Sequence, residues 1–219
     1  MRIPARWWGA VVWLLAGCHL RAATVIQIGE TGVAYPVVDF GAVHLQDRIS
    51  GANAGVGYWV EVSLKISPAA GFDMFAADYL VTLSHNTGSS MTDPVGSYLS
   101  VKLFEDLGAA ADPLAFGSMA NGIQVVLRDD APSSLSGFSD FTSTAPLTGD
   151  WRAYNALAPL GQMDPNGVWG LFVSDTSIGG AGVVTEWTVK LKEVPEPVFT
   201  PGVWMAVGAV FFRRRRRRG

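Results

Sequence analysis

Three histidines, His19, His44 and His85, are the side chains of this sequence best suited to acid–base catalysis. A catalytic triad needs a nucleophile, a base within hydrogen-bond reach of it and an orienting acid. No G-x-S-x-G motif accompanies the histidines. We interpret His44 as a polar residue at a strand end and His85 as part of a solvated turn. The sequence therefore predicts that the protein is not an enzyme.

Aspartates beside predicted turns are the candidate metal ligands. Calcium prefers carboxylate and carbonyl oxygens gathered by loops. Asp78, Asp129, Asp130 and Asp175 have this placement, although they show no EF-hand or nonapeptide spacing. Turn aspartates also cap turns and keep an exported domain soluble. Both interpretations stay open, and calcium is the only cofactor that the sequence suggests.

Aromatic side chains offer a further kind of site, a platform for carbohydrate. Trp59 interrupts the polar face of its predicted strand, and Trp151 and Tyr154 are the other candidates. Burial in the core is the commoner explanation for any one tryptophan. The sequence does not choose between these alternatives.

Short β-strands must position these residues, because apolar residues in the middle of the chain recur with a period of two. The alternation covers residues 59–66, 98–104 and 123–127, and it returns at 169–173 and 187–191. In the last of these strands, Glu186, Thr188 and Lys190 are expected to face water. Gly, Asn and Asp mark the turns, and residues 109–120 and 131–147 are expected to be surface loops. The pattern predicts an all-β fold, a jelly-roll-like β-sandwich.

From about residue 34 to 191, the order of strands and turns resembles the P domain, also called Homo B, of subtilisin-like proprotein convertases. The resemblance rests on N-G-V-W at 166–169, L-F-V-S-D at 171–175, and W-T-V at 187–189. D-Y-L-V-T-L at 78–83 and R-D-D-A at 128–131 extend it. In convertases this domain supports a protease domain, so the resemblance implies a sandwich and, as an alternative function, an accessory module for a separately encoded subtilisin-like protease.

The N-terminus has the features of an export signal. Arg2 and Arg6 precede an apolar run over residues 7–16 that is too short to span a bilayer. Two processing sites are compatible with residues 1–23: signal-peptidase cleavage near Ala22 or Ala23, or lipidation of Cys18, which ends a lipobox-like L-A-G-C. Cys18 is the only cysteine of the chain, so the folded region has no disulfide.

The charge of the middle region limits its partners. Residues 24–192 contain seven basic and seventeen acidic residues, a balance of −10, whereas the whole chain carries −3. An acidic domain repels phosphate backbones, so nucleic acid is excluded as a partner. Cations and neutral polymers suit this domain better.

The character of the chain changes over residues 193–219. Val194, Pro195, Glu196 and Pro197 are followed by an apolar segment at 198–212, which would form a single short transmembrane helix about 22 Å long. An arginine cluster follows and would stay in the cytoplasm by the positive-inside rule, leaving the acidic domain outside. This cluster comprises Arg213, Arg214, Arg215, Arg216, Arg217 and Arg218.

The order of V-P-E-P, short apolar stretch and terminal arginines closely resembles the PEP-CTERM sorting signal of exosortase substrates. The resemblance implies an inner-membrane intermediate, cleavage near the motif by an exosortase, and delivery to the cell surface or an extracellular matrix. We therefore expect an exported, non-catalytic surface or matrix module at residues 24–192, with extracellular polysaccharide or a protease domain as its partner.

Overall fold

The computed structural model of the chain describes residues 24–107, 117–140 and 142–194. Within these residues β-strands dominate, with two 3₁₀ turns (Ala76–Asp78 and Leu135–Gly137) and one helical turn, α1 (Ala158–Gly161). This part of the chain holds no helix long and apolar enough to cross a membrane. The strands are β1 (Val25–Val37), β2 (Ala42–Ile49), β3 (Tyr58–Pro68), β4 (Tyr79–Asn86), β5 (Tyr98–Phe104), β6 (Ile123–Leu127), β7 (Ser133–Ser134), β8 (Leu147–Arg152), β9 (Gly167–Asp175) and β10 (Gly182–Glu193).

The strands form two sheets that pack as a β-sandwich. One sheet has the order β1-β10-β3-β6-β8-β7, and the other has the order β2-β9-β4-β5. All pairs are antiparallel except β6 with β8 and β7 with β8. Several consecutive strands, such as β1 and β2 or β3 and β4, lie in different sheets. The all-β sandwich prediction is confirmed.

The core lies between the sheets and follows the predicted alternation. In β3, Val62 and Leu64 are at most 1% exposed, and in β9 Trp169 and Leu171 are fully buried. Each large apolar side chain buried in this way contributes about 1.5–3 kcal/mol relative to an exposed one. The period of two therefore identified the inward faces of these strands correctly.

The outward face of β10 differs from the prediction at one residue. Thr188, expected to face water, is only 3% exposed. Since β10 lies between β1 and β3, Thr188 is flanked in register by Gly29 and Ser63. The longer side chains of Glu186 and Lys190 lie two residues away on the same face. A short polar residue in a central strand is thereby removed from solvent.

The two predicted surface loops also contribute to the core. In the segment 131–147, β7 joins the edge of a sheet, and the side chain of Leu135 in the following turn is fully buried. Of the segment 109–120, only residues 117–120 are described, and Ser118 and Ala120 are buried there. The sequence did not predict this burial, because a segment with one buried side chain per turn shows no alternating pattern of apolar residues.

Asn166 and Gly167 of the N-G-V-W run have structural roles. The Asn166 side chain accepts a hydrogen bond from Ala52 N (2.8 Å) and donates one to Ala52 O (2.9 Å). Gly167 has φ 132°, and a Cβ there would lie 2.2 Å from Asn86 O. Only glycine tolerates this backbone approach. These two residues therefore hold the turn that precedes β9 against the backbone of Ala52 and Asn86.

Strand β10 spans the sandwich and defines its two ends. Its first residue, Gly182, pairs with Val37 and Pro68, whereas Lys192 near its end pairs with Val25 and Trp59. At about 3.3 Å per residue, these ends are about 30 Å apart. We call the Gly182 end the acidic end, for reasons given below, and the Lys192 end the exit end, because the chain leaves the sandwich there.

Candidate functional site

Two of the four predicted metal ligands come together at the acidic end. Asp175 ends β9 and pairs in register with Tyr79, so it lies diagonally beside Asp78. Thr176 N donates to the Asp78 backbone oxygen (2.6 Å), which holds the two chain segments together. Asp39, in the β1–β2 turn, approaches the same place, and its Oδ2 accepts a hydrogen bond from Gly179 N (3.2 Å). We call Asp39, Asp78 and Asp175 the acidic cluster.

Burial and mutual repulsion alter the titration of the acidic cluster. Removal from water, followed by the charge of Asp175, raises the pKa of Asp78 to about 6. Burial also raises the pKa of Asp175, and the charge of Asp39 acts in the same direction. Both shifts mean that the folded protein disfavours the charged forms of these carboxyls.

Two buried polar atoms in this region have no hydrogen-bond partner. Asp175 is 2% exposed and Tyr79 1% exposed, yet Asp175 Oδ2 and Tyr79 Oη each lack a partner of strict hydrogen-bond geometry, although the two side chains lie close enough for each to affect the pKa of the other. Burial first, and then the charges of Asp175 and Asp78, raise the pKa of the Tyr79 phenol. An unpaired buried acceptor costs about 1–3 kcal/mol. A proton or a cation on the Asp175 carboxyl would reduce that cost.

Asp129 and Asp130 lie at the exit end, about 30 Å from Asp78 and Asp175. The Asp129 carboxylate accepts hydrogen bonds from Leu157 N (2.8 Å) and Ala158 N (2.7 Å) at the start of α1. Asp130 approaches Arg128 Nε at 3.6 Å. The structure thus divides the four predicted ligands between two places.

Among the described residues, no three His, Cys, Asp or Glu side chains form a group that could hold a metal ion. A calcium site at the acidic end would have to combine Asp78 and Asp175 with hydroxyl or backbone oxygens, which calcium accepts as ligands. Calcium binding stays a prediction and is confined to this pair.

The interpretation of His85 as a solvated turn residue was wrong. His85 lies in β4, is fully buried and stacks on Trp169 with a ring separation of 4.3 Å. Its Nδ1 is 3.1 Å from Val168 O and its Nε2 is 2.7 Å from Asp164 O. With both nitrogens facing backbone carbonyls, the ring is not available as a base for a nucleophile.

The interpretation of His44 as a strand-end residue was also wrong. His44 lies within β2, and its exposed ring contacts Phe172 edge-to-face with a centroid separation of 5.0 Å. His19 lies outside the described residues. That the protein is not an enzyme stays a prediction.

The three aromatic residues considered for a carbohydrate platform do not lie on one surface. Trp59 is 56% exposed on the outer face of β3, so the core interpretation is wrong for this residue. Trp151 pairs with the buried Leu127 and therefore points to the inner face, where it contacts Phe138 edge-to-face at 5.7 Å. Tyr154 is half-buried against the core. A three-membered platform is ruled out by this geometry.

Trp59 borders a shallow cavity of about 250 Å³ at the exit end. Glu61 accepts from Lys190 (3.4 Å) and Lys192 (2.8 Å), and Arg128 donates to Asp150 (2.7 Å). Burial acts to raise the pKa of Glu61, but the hydrogen bonds and charges of the two lysines lower it overall. The cavity is lined by Trp59, Val60, Glu61, Arg128, Asp129, Asp130 and Lys192.

Sequence reasoning missed two contributions to these sites. Asp39 and the Tyr79 hydroxyl join Asp78 and Asp175 only through strand pairing and turn packing. Val25 and Lys192 flank Trp59 because β1, β10 and β3 are neighbours. An aspartate two residues before Gly41 was the only local signal for Asp39, and many surface turns carry the same signal.

The predicted sorting and lipidation residues lie mostly outside the described part of the chain. Val194 is the last residue of that part, and its N–H donates to Gly57 O (2.9 Å). The undescribed ones are Cys18, Pro195, Glu196, Pro197, Arg213, Arg214, Arg215, Arg216, Arg217 and Arg218.

No protein-family model and no curated protein sequence matches the chain. Among solved structures, it is similar to the VP2 subviral particle of infectious bursal disease virus, with 10% sequence identity and a TM-score of 0.25. That match covers 89% of this chain and 50% of the viral chain. A TM-score this low does not establish a common fold, and nothing about the viral protein is transferred to this one.

Proposed function

We propose that this chain is an exported, non-catalytic β-sandwich of the jelly-roll type that serves as a binding or structural module at the cell surface or in an extracellular polymer matrix. An exosortase processes its C-terminal tail. The observation that carries the proposal is the placement of the core: the buried apolar side chains of the described residues lie between Ile28 and Leu191. Residues 1–23 and the V-P-E-P motif lie outside these limits, so removing either segment would leave the described core intact.

The strand order supports the jelly-roll assignment. Strands β1-β10-β3-β6 lie opposite β2-β9-β4-β5, as expected for two intertwined Greek keys. Strands β7 and β8 extend the edge of the first of these sheets beyond β6. Cys18 is the only cysteine of the chain, so the stability of the sandwich must come from its packed core and not from a disulfide.

The residues of the tail support the sorting route. Prolines at 195 and 197 prevent regular strand or helix pairing around Glu196, which favours an accessible backbone. The apolar segment and the arginine cluster then provide a short anchor and a cytoplasmic stop. In this scheme the chain passes through an inner-membrane intermediate before it reaches the surface.

Substitution of Glu196 tests the proposal. Glu196→Ala leaves the apolar length unchanged but removes the charged centre of the motif, so membrane insertion should survive and processing should fail. Full-length chain should accumulate in the membrane fraction of cells with an active exosortase. Glu193→Ala, three residues earlier, is the matched control and should be processed normally. Mass spectrometry of surface material that finds mature protein with Arg213 to Arg218 still attached would refute the sorting route.

A further inference from the structure

A row of exposed side chains crosses the outer face of the sandwich at the exit end. Val25, Lys192 and Trp59 are direct neighbours in register on β1, β10 and β3. Val25 is 57% exposed and Trp59 56% exposed, although both are large apolar residues. We call Val25, Lys192 and Trp59 the exit face.

The exit face lies where the chain leaves the sandwich. Strand β10 ends at Glu193, and Val194 is 36% exposed. Residues 195–197 are all that separate Val194 from the apolar segment at 198–212. An extended chain spans at most about 3.6 Å per residue, so this link reaches about 14 Å. The headgroup layer alone is about 5–8 Å thick. An inserted tail would therefore hold the exit end against the membrane surface.

The chemistry of the exit face suits that position. Tryptophan is enriched at the headgroup level of membranes, and lysine places its charge among anionic headgroups while its stem lies along apolar surface. Three of the seven basic residues between 24 and 192 lie at the exit end, where they pair with Glu61 and Asp150 and so offset much of the acidic charge around Trp59: Arg128, Lys190 and Lys192.

The opposite end of the sandwich has the contrary charge. Asp39, Asp78 and Asp175 lie there, and Asp106 is near enough to raise the pKa of Asp78 further. An anionic bilayer would repel this end, whereas the carboxylates Glu61 and Asp150 at the exit end are paired with lysine and arginine. The contrast in charge favours the orientation in which the exit end faces the bilayer.

We propose that the exit face docks on a lipid bilayer while the tail is inserted, with Trp59 and Val25 at headgroup level and Lys192 beside them. The docking rests on the proposed membrane role of the tail. It keeps the motif at 194–197 at the membrane surface, where a membrane-embedded processing enzyme acts.

A polysaccharide is the rival occupant of the exit face, but the hydrogen-bonding groups beside Trp59 favour lipid. Glu61 is already paired with two lysines, and Asp129 with two backbone N–H groups. Arg128 is paired with Asp150 and lies 3.6 Å from Asp130. A sugar ring on Trp59 would find few free partners for its hydroxyls, and discrimination among polar ligands depends on such partners.

Fluorescence quenching in vesicles tests the docking. The mature chain, residues 24–219, which lacks the apolar export signal and Cys18, is labelled with an environment-sensitive fluorophore at Val25→Cys or at Ile178→Cys. Ile178 is the matched control, because it is 73% exposed and lies in the turn between β9 and β10 at the acidic end. In vesicles of phosphatidylcholine and phosphatidylglycerol with quencher lipid, we expect loss of fluorescence at position 25 and none at 178.

A second pair of variants examines the role of the tryptophan itself. Trp59→Ala should reduce the quenching at position 25. Phe72→Ala, which removes another exposed aromatic ring, should leave it unchanged, because Phe72 lies at the acidic end. Both rings are largely exposed, so neither change should unfold the sandwich.

The possible results separate the docking from the role of the tail. If an alkaline wash extracts the chain from the vesicles, the tail is not inserted, and both the membrane role of the tail and the docking are refuted. A chain that resists the wash but shows equal quenching at positions 25 and 178 overturns the docking alone. Shielding of position 25 by dextran without lipid, lost in Trp59→Ala and accompanied by no lipid quenching, would assign the exit face to polysaccharide and also overturn it.

Discussion

Asp78 shows how folding changes the chemistry of a single residue. Its carboxyl is partly removed from water and placed beside Asp175, and together these effects raise its pKa to about 6 from an unfolded value of 3.8. A group whose pKa is raised by folding stabilises the protein at low pH, where the carboxyl is protonated in both states. That stabilisation disappears as pH rises through the folded pKa. Asp175 acts in the same direction.

We predict that Asp78→Asn stabilises the protein near neutral pH. The amide cannot ionise, so the variant avoids the cost of charging a half-buried carboxyl. Allowing for solvent screening, the gain should be about 1–2 kcal/mol at about pH 7.5 and should vanish below about pH 3, where the carboxyl is protonated in both states. Urea unfolding in the presence of chelator measures it. A gain that does not depend on pH would show that charge repulsion is not the cause.

Asp93 is a suitable control, because folding shifts its pKa in the direction opposite to that of Asp78. Hydrogen bonds from the Ser89 backbone and hydroxyl, then from Val95 N, lower its pKa to about 2. Its contribution is present above pH 3.8 and is lost as pH falls toward 2. Asp93→Asn should therefore destabilise the protein near neutral pH, where Asp78→Asn stabilises it.

At the scale of elements, Asp129 joins the turn after β6 to the start of α1. Both of its carboxylate oxygens accept backbone hydrogen bonds, one from the fully buried Leu157. α1 packs on β3, and the hypothetical Cβ of Gly161 would lie 1.9 Å from Tyr58 O. This one carboxylate thus fixes a short element that supports the strand carrying Trp59.

We predict that Asp129→Ala lowers the free energy of unfolding by about 2 kcal/mol, because two charge-assisted hydrogen bonds are lost and a buried N–H is left unpaired. Asp130→Ala removes a carboxylate from the adjacent, more exposed position and should cost less than about 0.5 kcal/mol. Chemical denaturation of both variants measures the difference. Equal effects would contradict the capping role of Asp129.

At the scale of the whole molecule, the sandwich is electrically asymmetric. The acidic cluster occupies one end, and lysines and an arginine surround Trp59 about 30 Å away. A domain with a balance of −10 over residues 24–192 thereby has one end at which carboxylates are paired with basic side chains, and a negatively charged surface would repel that end less than the acidic end. Cations and membranes would thus engage opposite ends.

We predict that millimolar calcium raises the melting temperature through Asp78 and Asp175, because a cation would relieve their repulsion and supply a partner for Asp175 Oδ2. A ligand at a hundredfold excess over its dissociation constant stabilises the native state by about 2.7 kcal/mol. Asp175→Asn should abolish the shift, whereas Asp130→Asn should not. Identical melting curves in calcium and in chelator would end the metal hypothesis.

The amino-acid sequence by itself determined the local features of this protein. A period of two predicted β3, β5, β6, β9 and β10, because alternate burial is a property of each strand alone. β1, β2, β7 and β8 were missed, and β4 was expected only from the resemblance of residues 78–83 to a P-domain strand. β1 carries glycines and a register shift between Thr31 and Tyr35, and β2 is an edge strand that buries only Leu45 and Ile49.

The tertiary structure decided which residues meet. Asp78 and Asp175 are brought together by the pairing of β4 with β9, and Trp59, Lys192 and Val25 by the pairing of β3, β10 and β1. His85 is buried because the turn before β9 packs over it. Register and packing depend on contacts between residues 79 to 167 positions apart, from His85 with Asp164 to Val25 with Lys192, and a local sequence pattern contains no information about such contacts.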